Sequence, residues 1–155
     1  MTERARPGDY PVDYPVHRRV STRWADNDMF GHLNNAVYLE LFDTAINGWL
    51  AEATARGPLD QPARGVVAES SLRFLAEVGF PAPVSVGLAV ERLGTKSVTY
   101  ALALFVLPDG VADGPVPDDA VLAATGRWVH VYVDPQTRAT VPIPPEIRAA
   151  LEAIA

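Results

Sequence analysis

The chain reads as an α+β domain in which one long helix is set against an antiparallel sheet of five strands. Three observations lead there. A single amphipathic stripe runs from Asn34 to Arg56, no second long helical pattern occurs, and glycine and proline breaks separate the four apolar runs that follow. A length of 155 residues suits one compact domain, since domains cluster at about 100–150 residues.

Along the chain, Arg6 to Pro15 carries three prolines after its first residue (Pro7, Pro11, Pro15) and reads as an extended arm over residues 1–15, because proline blocks helix and central-strand pairing. From His17 to Trp24, Val20, Thr22 and Trp24 share one parity, the signature of a half-buried strand. In the helix, Tyr38, Leu41, Phe42, Ala45, Ile46 and Trp49 fall on one face. Asn34 or Asn35 supplies its N-cap, and Arg56-Gly57-Pro58 supplies a last-turn cation, a C′ glycine and a stop. Strands follow over Arg64–Leu75, Val84–Leu93, Ser97–Leu107 and Ala120–Val133. Gly79-Phe80-Pro81, Gly94-Thr95 and Pro108-Asp109-Gly110 fit hairpin connections, the last extended into a longer loop over Asp113 to Asp119. Pro144-Pro145 opens a short terminal helix. An apolar helix stripe needs a cover, so the sheet is expected to wrap around the long helix and to leave its other face or an edge for a second copy, as homodimer or homotetramer.

Composition removes whole classes of function. At 48% apolar and 21% charged, the chain is globular rather than disordered, collagen-like or coiled-coil. No run reaches the ~18–20 apolar residues of a membrane helix, and Met1 to Val20 lacks the apolar block of a signal peptide, so a cytoplasmic location is expected. Cysteine is absent, which excludes disulfides, thiolate nucleophiles and cysteine metal sites. A net charge of −6 argues against nucleic-acid binding, which rests on neutralising many phosphates, while a nucleotide-bearing small molecule needs only a local basic spot.

The densest polar cluster lies between the first strand and the helix: Asp26, Asn27, Asp28, Gly31, His32, Asn34 and Asn35. Free N–H groups at a helix start can stabilise negative charge developing on a carbonyl oxygen, and a nearby carboxylate can attack that carbon or activate a water. The same residue types also build turns, so Asp26 reads equally as a turn or cap residue and His32 as a structural histidine.

The string Asp26-Asn27-Asp28-Met29-Phe30-Gly31-His32-Leu33-Asn34-Asn35, followed by Tyr38, resembles the D-x-D-x-x-G-H-x-N-N-x-x-Y signature of the 4-hydroxybenzoyl-CoA thioesterase family of hotdog-fold proteins. Val67 to Leu75 and Glu91 to Ser97 support the likeness, which spans about residues 16–135. The resemblance implies a hotdog domain over 16–135, between the arm (1–15) and an extension (136–155) ending in the short helix. It implies hydrolysis of an acyl-CoA without metal or bound cofactor. By the same resemblance Asp28 is the catalytic carboxylate, as nucleophile or general base, and the N–H near Asn35 polarises the thioester carbonyl. His32 and Asn34 hold the loop or the water, and Gly31 and Asn34 count among the substrate-binding residues. In some branches the position of Asn35 bears His or Tyr, and acyl-ACP thioesterases carry Asn at the position of Phe30, so which group assists Asp28 stays open.

Around a glycine turn, Arg92, Lys96 and Ser97 offer cations and a hydroxyl for a nucleotide phosphate, or simply the solubility of an exposed hairpin. Glu69 could face the helix start from a central strand as a second acid or base, or pair with Arg73. Trp128, His130 and Tyr132 share one face of the last strand and read as packing or interface residues. From another class, the same loop would serve a non-catalytic acyl-thioester binding module; a hotdog dehydratase fits the motif less well.

Overall fold

The computed structural model describes residues 14–155, so the arm expected over 1–15 lies almost entirely outside the described residues. The elements run β1 (Val16–Val20), α1 (Asn35–Thr54), β2 (Arg64–Phe74), β3 (Val84–Leu93), β4 (Ser97–Val106), β5 (Val121–Val133) and α2 (Pro145–Glu152). Single 3₁₀ turns stand at Trp24–Asp26 and Pro58–Asp60. The five strands form one sheet in the order β1-β3-β4-β5-β2 with every pair antiparallel, packed on α1, which is the hotdog arrangement. Among the described residues no helix is long and apolar enough to cross a membrane.

Three expectations are corrected. The strand expected to run on to Trp24 ends at Val20, and Trp24 is 82% exposed. Val20 pairs with Val84, and Pro83 before it has no N–H with which to extend the ladder. The break at Gly79-Phe80-Pro81 is a crossover rather than a hairpin, because β2 lies at one edge and β3 beside the opposite one. Finally, α1 stops short of Gly57. Ala55 takes the left-handed conformation (φ 52°), and Arg56 N–H bonds the Ala51 carbonyl at 3.2 Å. The buried Gln61 amide braces the segment just past that ending by donating to Thr54 Oγ1 (2.7 Å) and the Arg56 carbonyl (3.2 Å). Arg56 itself pairs with Glu146 of α2 at 3.2 Å.

The helix stripe behaves as its period requires: Tyr38, Leu41, Phe42, Ala45, Ile46 and Trp49 are buried against Val86, Leu88, Tyr100, Leu102, Leu104, Trp128 and Tyr132 of the sheet. At ~25 cal/mol per Å² of buried apolar surface, this layer is the main stabilising contact of the fold. Unlike a half-buried strand, β3 is buried on both parities from Val84 to Val90. The back of the sheet has its own cluster of Ala103, Phe105, Leu107, Ala120 and Leu122, packed with Tyr14, Val111 and Val116. The strand left open is β2, exposed along most of its length, with Val66, Val67 and Phe74 facing solvent.

In β5, Trp128, His130 and Tyr132 pack inward as expected. The Trp128 indole N–H donates to His130 Nε2 at 2.9 Å, and the imidazole lies edge-on to Tyr100. Burial lowers the His130 pKa to about 4. Between its ordinary value near 6.5 and about 4 the unfolded chain therefore takes up a proton that the folded chain does not, and stability falls as pH drops through that window. Urea unfolding should show this decline between pH 7 and pH 4. His130→Gln should flatten it by about 3 kcal/mol, and parallel profiles for the two proteins would contradict a neutral buried imidazole.

Candidate active site

The loop between β1 and α1 is built on short-range hydrogen bonds. Asp26, buried at 4% exposure, accepts from Arg23 N–H at 2.7 Å and from the Arg23 guanidinium at 2.7 and 3.1 Å. The guanidinium bond holds the Asp26 carboxyl below its ordinary range. A miniature ladder follows, with Asn34 N–H bonding the Asp26 carbonyl (2.9 Å), Asn27 bridged to Leu33, and Asp28 N–H bonding the His32 carbonyl (3.0 Å). The turn closes through Gly31 N–H on the Asp28 carbonyl (3.1 Å), and Gly31 adopts φ 87°, where a side chain would be strained. Asp28 Oδ1 accepts from Phe30 N–H at 2.9 Å, a donor within its own turn rather than at the helix.

The helix start is seated by Leu33, 1% exposed, whose N–H bonds the Val78 carbonyl at 2.6 Å. Asn34 is the N-cap: its side-chain oxygen accepts from Ala36 N–H at 3.0 Å and its carbonyl from Val37 N–H at 2.9 Å. The Asn35 N–H has no protein acceptor among the described residues, so it is the amide available for a ligand oxygen. His32 stacks on Phe30 and stands 3.9 Å from Glu77. Tyr38, buried one turn into the helix, meets Phe74 edge-on at 5.0 Å, and burial followed by the Glu77 charge pushes its phenol up. Trp24, Met29 and Phe30 are exposed around this loop, an unusual outlay of apolar surface beside a polar turn.

A thioesterase-like superfamily model matches residues 22–151. The chain belongs to the thioesterase-like superfamily. It is 40% identical to the PA5185 protein of Pseudomonas aeruginosa over 91% of this chain and 92% of that one, with a TM-score of 0.80. More distant in sequence, a mutant 4-hydroxybenzoyl-CoA thioesterase bound to 4-hydroxybenzoyl-CoA is 10% identical, over 88% and 97% of the two chains (TM-score 0.72). The 1,4-dihydroxy-2-naphthoyl-CoA thioesterase Slr0204 of Synechocystis is 15% identical, over 87% and 93% (TM-score 0.71). These two show the shared fold. No curated protein matches the chain.

In this thioesterase-like chain Asp28, Gly31, His32, Asn34 and Asn35 share one loop and helix start, whereas Arg92, Lys96 and Ser97 do not join them. The hairpin that carries those three lies past Leu93, at the far end of β3 from Val84 and the crossover, a separation of roughly 30 Å for ten extended residues. Arg92 and Lys96 are exposed there without an ion-pair partner among the described residues. Arg148 of α2 braces the turn through the Gly94 carbonyl at 2.5 Å. Glu69 is not on a central strand: it lies exposed on edge strand β2, at a register shift opposite Val129. Its charge acts on Arg127 and it makes no ion pair with Arg73, while Phe74 is the β2 residue that meets the first helical turn. Arg23 and Glu77 join the site without having stood out in the sequence, and Asn27, one of the polar cluster there, gains its partner only in the fold. Arginine has no acceptor with which to cap a helix, so the spacing of Arg23 to Asp26 carries no capping signature; only the Asp26 carboxylate reaches back to the Arg23 N–H. For Asn27 and Glu77 the contacts arrive from about fifty residues away in sequence, and nothing local announces them.

Proposed function

We propose that this chain is an acyl-CoA thioesterase in which Asp28 is the reacting carboxylate and Asn35 N–H receives the carbonyl oxygen. The observation that carries the reading is the placement of the Asp28 turn, hydrogen-bonded across its own ladder, immediately ahead of a capped helix whose first amide lacks an acceptor. A thioester carbonyl has little resonance stabilisation and thiolate is a good leaving group, so one carboxylate and one set of oriented dipoles can carry the reaction. As general base, Asp28 takes a proton from water while the hydroxide attacks the carbonyl carbon. The C–S bond then breaks, and the departing CoA thiolate takes up the proton. As nucleophile, Asp28 attacks the carbonyl carbon and the C–S bond breaks to leave an acyl anhydride and CoA thiolate; water then hydrolyses the anhydride, which frees the acid and restores the carboxylate, and the released proton goes to the thiolate. His32 and Asn34 hold the loop and the water, and no resident metal or cofactor takes part.

The second copy enters through β2. Its eleven residues leave one row of backbone groups unpaired at the sheet edge, together with exposed Val66, Val67 and Phe74, and an edge of this length and composition calls for a partner. Two-fold antiparallel pairing of β2 with its copy places the partner's far end, with its hairpin cations, at the same end of the assembly as this chain's Asp28 turn. A homodimer is the smallest assembly that does so, and Arg92, Lys96 and Ser97 then serve the nucleotide end of the substrate.

Asp28→Asn should lower acyl-CoA turnover at least ~100-fold with an unchanged melting curve. Thiol release at the wild-type rate would reject the role of Asp28, and calorimetric binding of a non-hydrolysable CoA analogue without any wild-type thiol release would point instead to a binding module. Replacing Arg92 and Lys96 by alanine should raise KM for acyl-CoA roughly tenfold while leaving KM for the matching N-acetylcysteamine thioester, which lacks the nucleotide, unaffected. Introducing lysine at both Val66 and Val67 should convert a sedimenting dimer to monomer; a monomeric wild type at micromolar concentration would remove the assembly argument.

A further inference from the structure

Asn27 belongs to no role assigned so far, yet among the described residues it makes the longest-range side-chain hydrogen bonds of the loop, to the same Phe80 on which the Trp24 ring packs edge-on. Its Oδ1 accepts from Phe80 N–H at 3.0 Å and its Nδ2 donates to the Phe80 carbonyl at 3.4 Å, so one carboxamide engages both backbone groups of a residue 53 positions away. Directly across the miniature ladder, Leu33 N–H bonds the Val78 carbonyl at 2.6 Å. Val78 to Phe80 thus form a floor on which the two strands of the turn rest. Gly79 brings that floor close: a Cβ there would lie 3.1 Å from the Gly31 carbonyl oxygen and 3.7 Å from Asn27 Oδ1. Asn27 and Leu33 stand opposite each other and both reach toward the crossover, and alternation along the chain turns the neighbouring Asp28 side chain away from it.

We propose that Asn27 is the positioning residue of the site, clamping the turn to the β2–β3 crossover and thereby setting where the Asp28 carboxylate stands relative to Asn35 N–H. This rests on the reading of Asp28 as the reacting group. The helix start is held by the buried Leu33 side chain and the Asn34 cap, so it survives loss of the clamp. Asp28 lies on the other strand of the ladder, toward the exposed turn of Met29 and Phe30; backbone bonds join that strand to the Leu33 strand, and the Asn27 carboxamide hydrogen-bonds it directly to the crossover. Displacing a reacting group by about 1 Å can cost about 100-fold in rate. The clamp touches no substrate atom, so its loss acts on turnover rather than on binding.

The test measures kcat and KM for Asn27→Ala, Asn27→Asp, Gly79→Ala and Asp28→Asn, with melting curves. The substrate is whichever of acetyl-, octanoyl- and benzoyl-CoA the wild type turns over fastest. Asn27→Ala should lose about 10- to 100-fold in kcat with KM within about threefold. Asn27→Asp, which keeps the oxygen that accepts from Phe80 N–H, should recover most of that loss, and Gly79→Ala, which pushes the floor against the turn, should lose kcat severalfold. Wild-type kcat in a folded Asn27→Ala, a loss expressed only in KM, or an Asn27→Asp no faster than Asn27→Ala would each overturn the proposal. Should Asn27→Ala fail to fold, the kcat of Gly79→Ala decides, a loss supporting the clamp and a wild-type value overturning it. Full activity in Asp28→Asn would instead remove the underlying reading of the carboxylate, and the clamp with it.

Discussion

The site depends on how the chain enters its long helix. Leu33 is buried in the core, and its N–H is taken by the Val78 carbonyl, so the backbone just ahead of α1 is fixed to the β2–β3 crossover before the helix begins. A buried backbone donor left without a partner would cost about as much as a lost hydrogen bond, and this constraint leaves little choice of register. With Leu33 set, Asn34 falls at the cap and Asn35 becomes the first helical residue, its N–H turned toward the loop. The preceding residues must fold back across Leu33 to reach β1, and that return strand carries Asp26 and Asp28.

Much of this was legible in the sequence, for identifiable reasons. The helix declared itself because its buried face is dictated by a single period, and β3, β4 and β5 because their apolar runs are bounded by residues that cannot continue a strand. The site loop was visible because its partners are local: ladder, turn and cap all lie within ten residues. What failed was decided at a distance. Gly57 is the better left-handed residue on intrinsic grounds, yet the helix ends at Ala55, where the Ala55 and Arg56 N–H groups take the last carbonyls and the buried Gln61 amide bonds Thr54 Oγ1 and the Arg56 carbonyl. Gly79-Phe80-Pro81 has hairpin composition, but β5 rather than β3 claims the long side of β2. Asn27 looked like any turn residue because Phe80, which gives it a role, is 53 residues away.

The two polar regions sit at opposite ends of the molecule, and the length of α1 explains why. Twenty helical residues rise about 30 Å, and the antiparallel sheet that covers them must run the same distance. The helix start and the crossover share one end; the β3–β4 hairpin, α2 and the helix C-terminus share the other, joined by the Arg56–Glu146 and Arg148–Gly94 contacts. A ligand engaging both regions of a single chain would have to lie along the whole sheet. Symmetry offers a shorter path, since a two-fold axis through an exposed edge strand reverses one copy against the other, and β2 is the edge whose apolar side chains remain uncovered.

Asp26 and Asp28 stand two residues apart in one loop, and their surroundings divide them. Both oxygens of Asp26 are occupied, one by the Arg23 backbone and the other by its guanidinium, and the carboxylate is buried and ionised in the service of the turn. Asp28 gives one oxygen to Phe30 N–H, and its other has no protein donor among the described residues. A carboxylate with every oxygen committed is a poor base and a poor nucleophile, because each bond to its anionic form must weaken before it can accept a proton or form a bond to carbon. Asp28, oriented by a single backbone donor, keeps one oxygen uncommitted to any protein donor among the described residues. The same residue type is therefore bound into the turn at position 26 and left with an open oxygen at position 28, which is what the proposed role of Asp28 requires, and the number of donors around each carboxylate makes the difference.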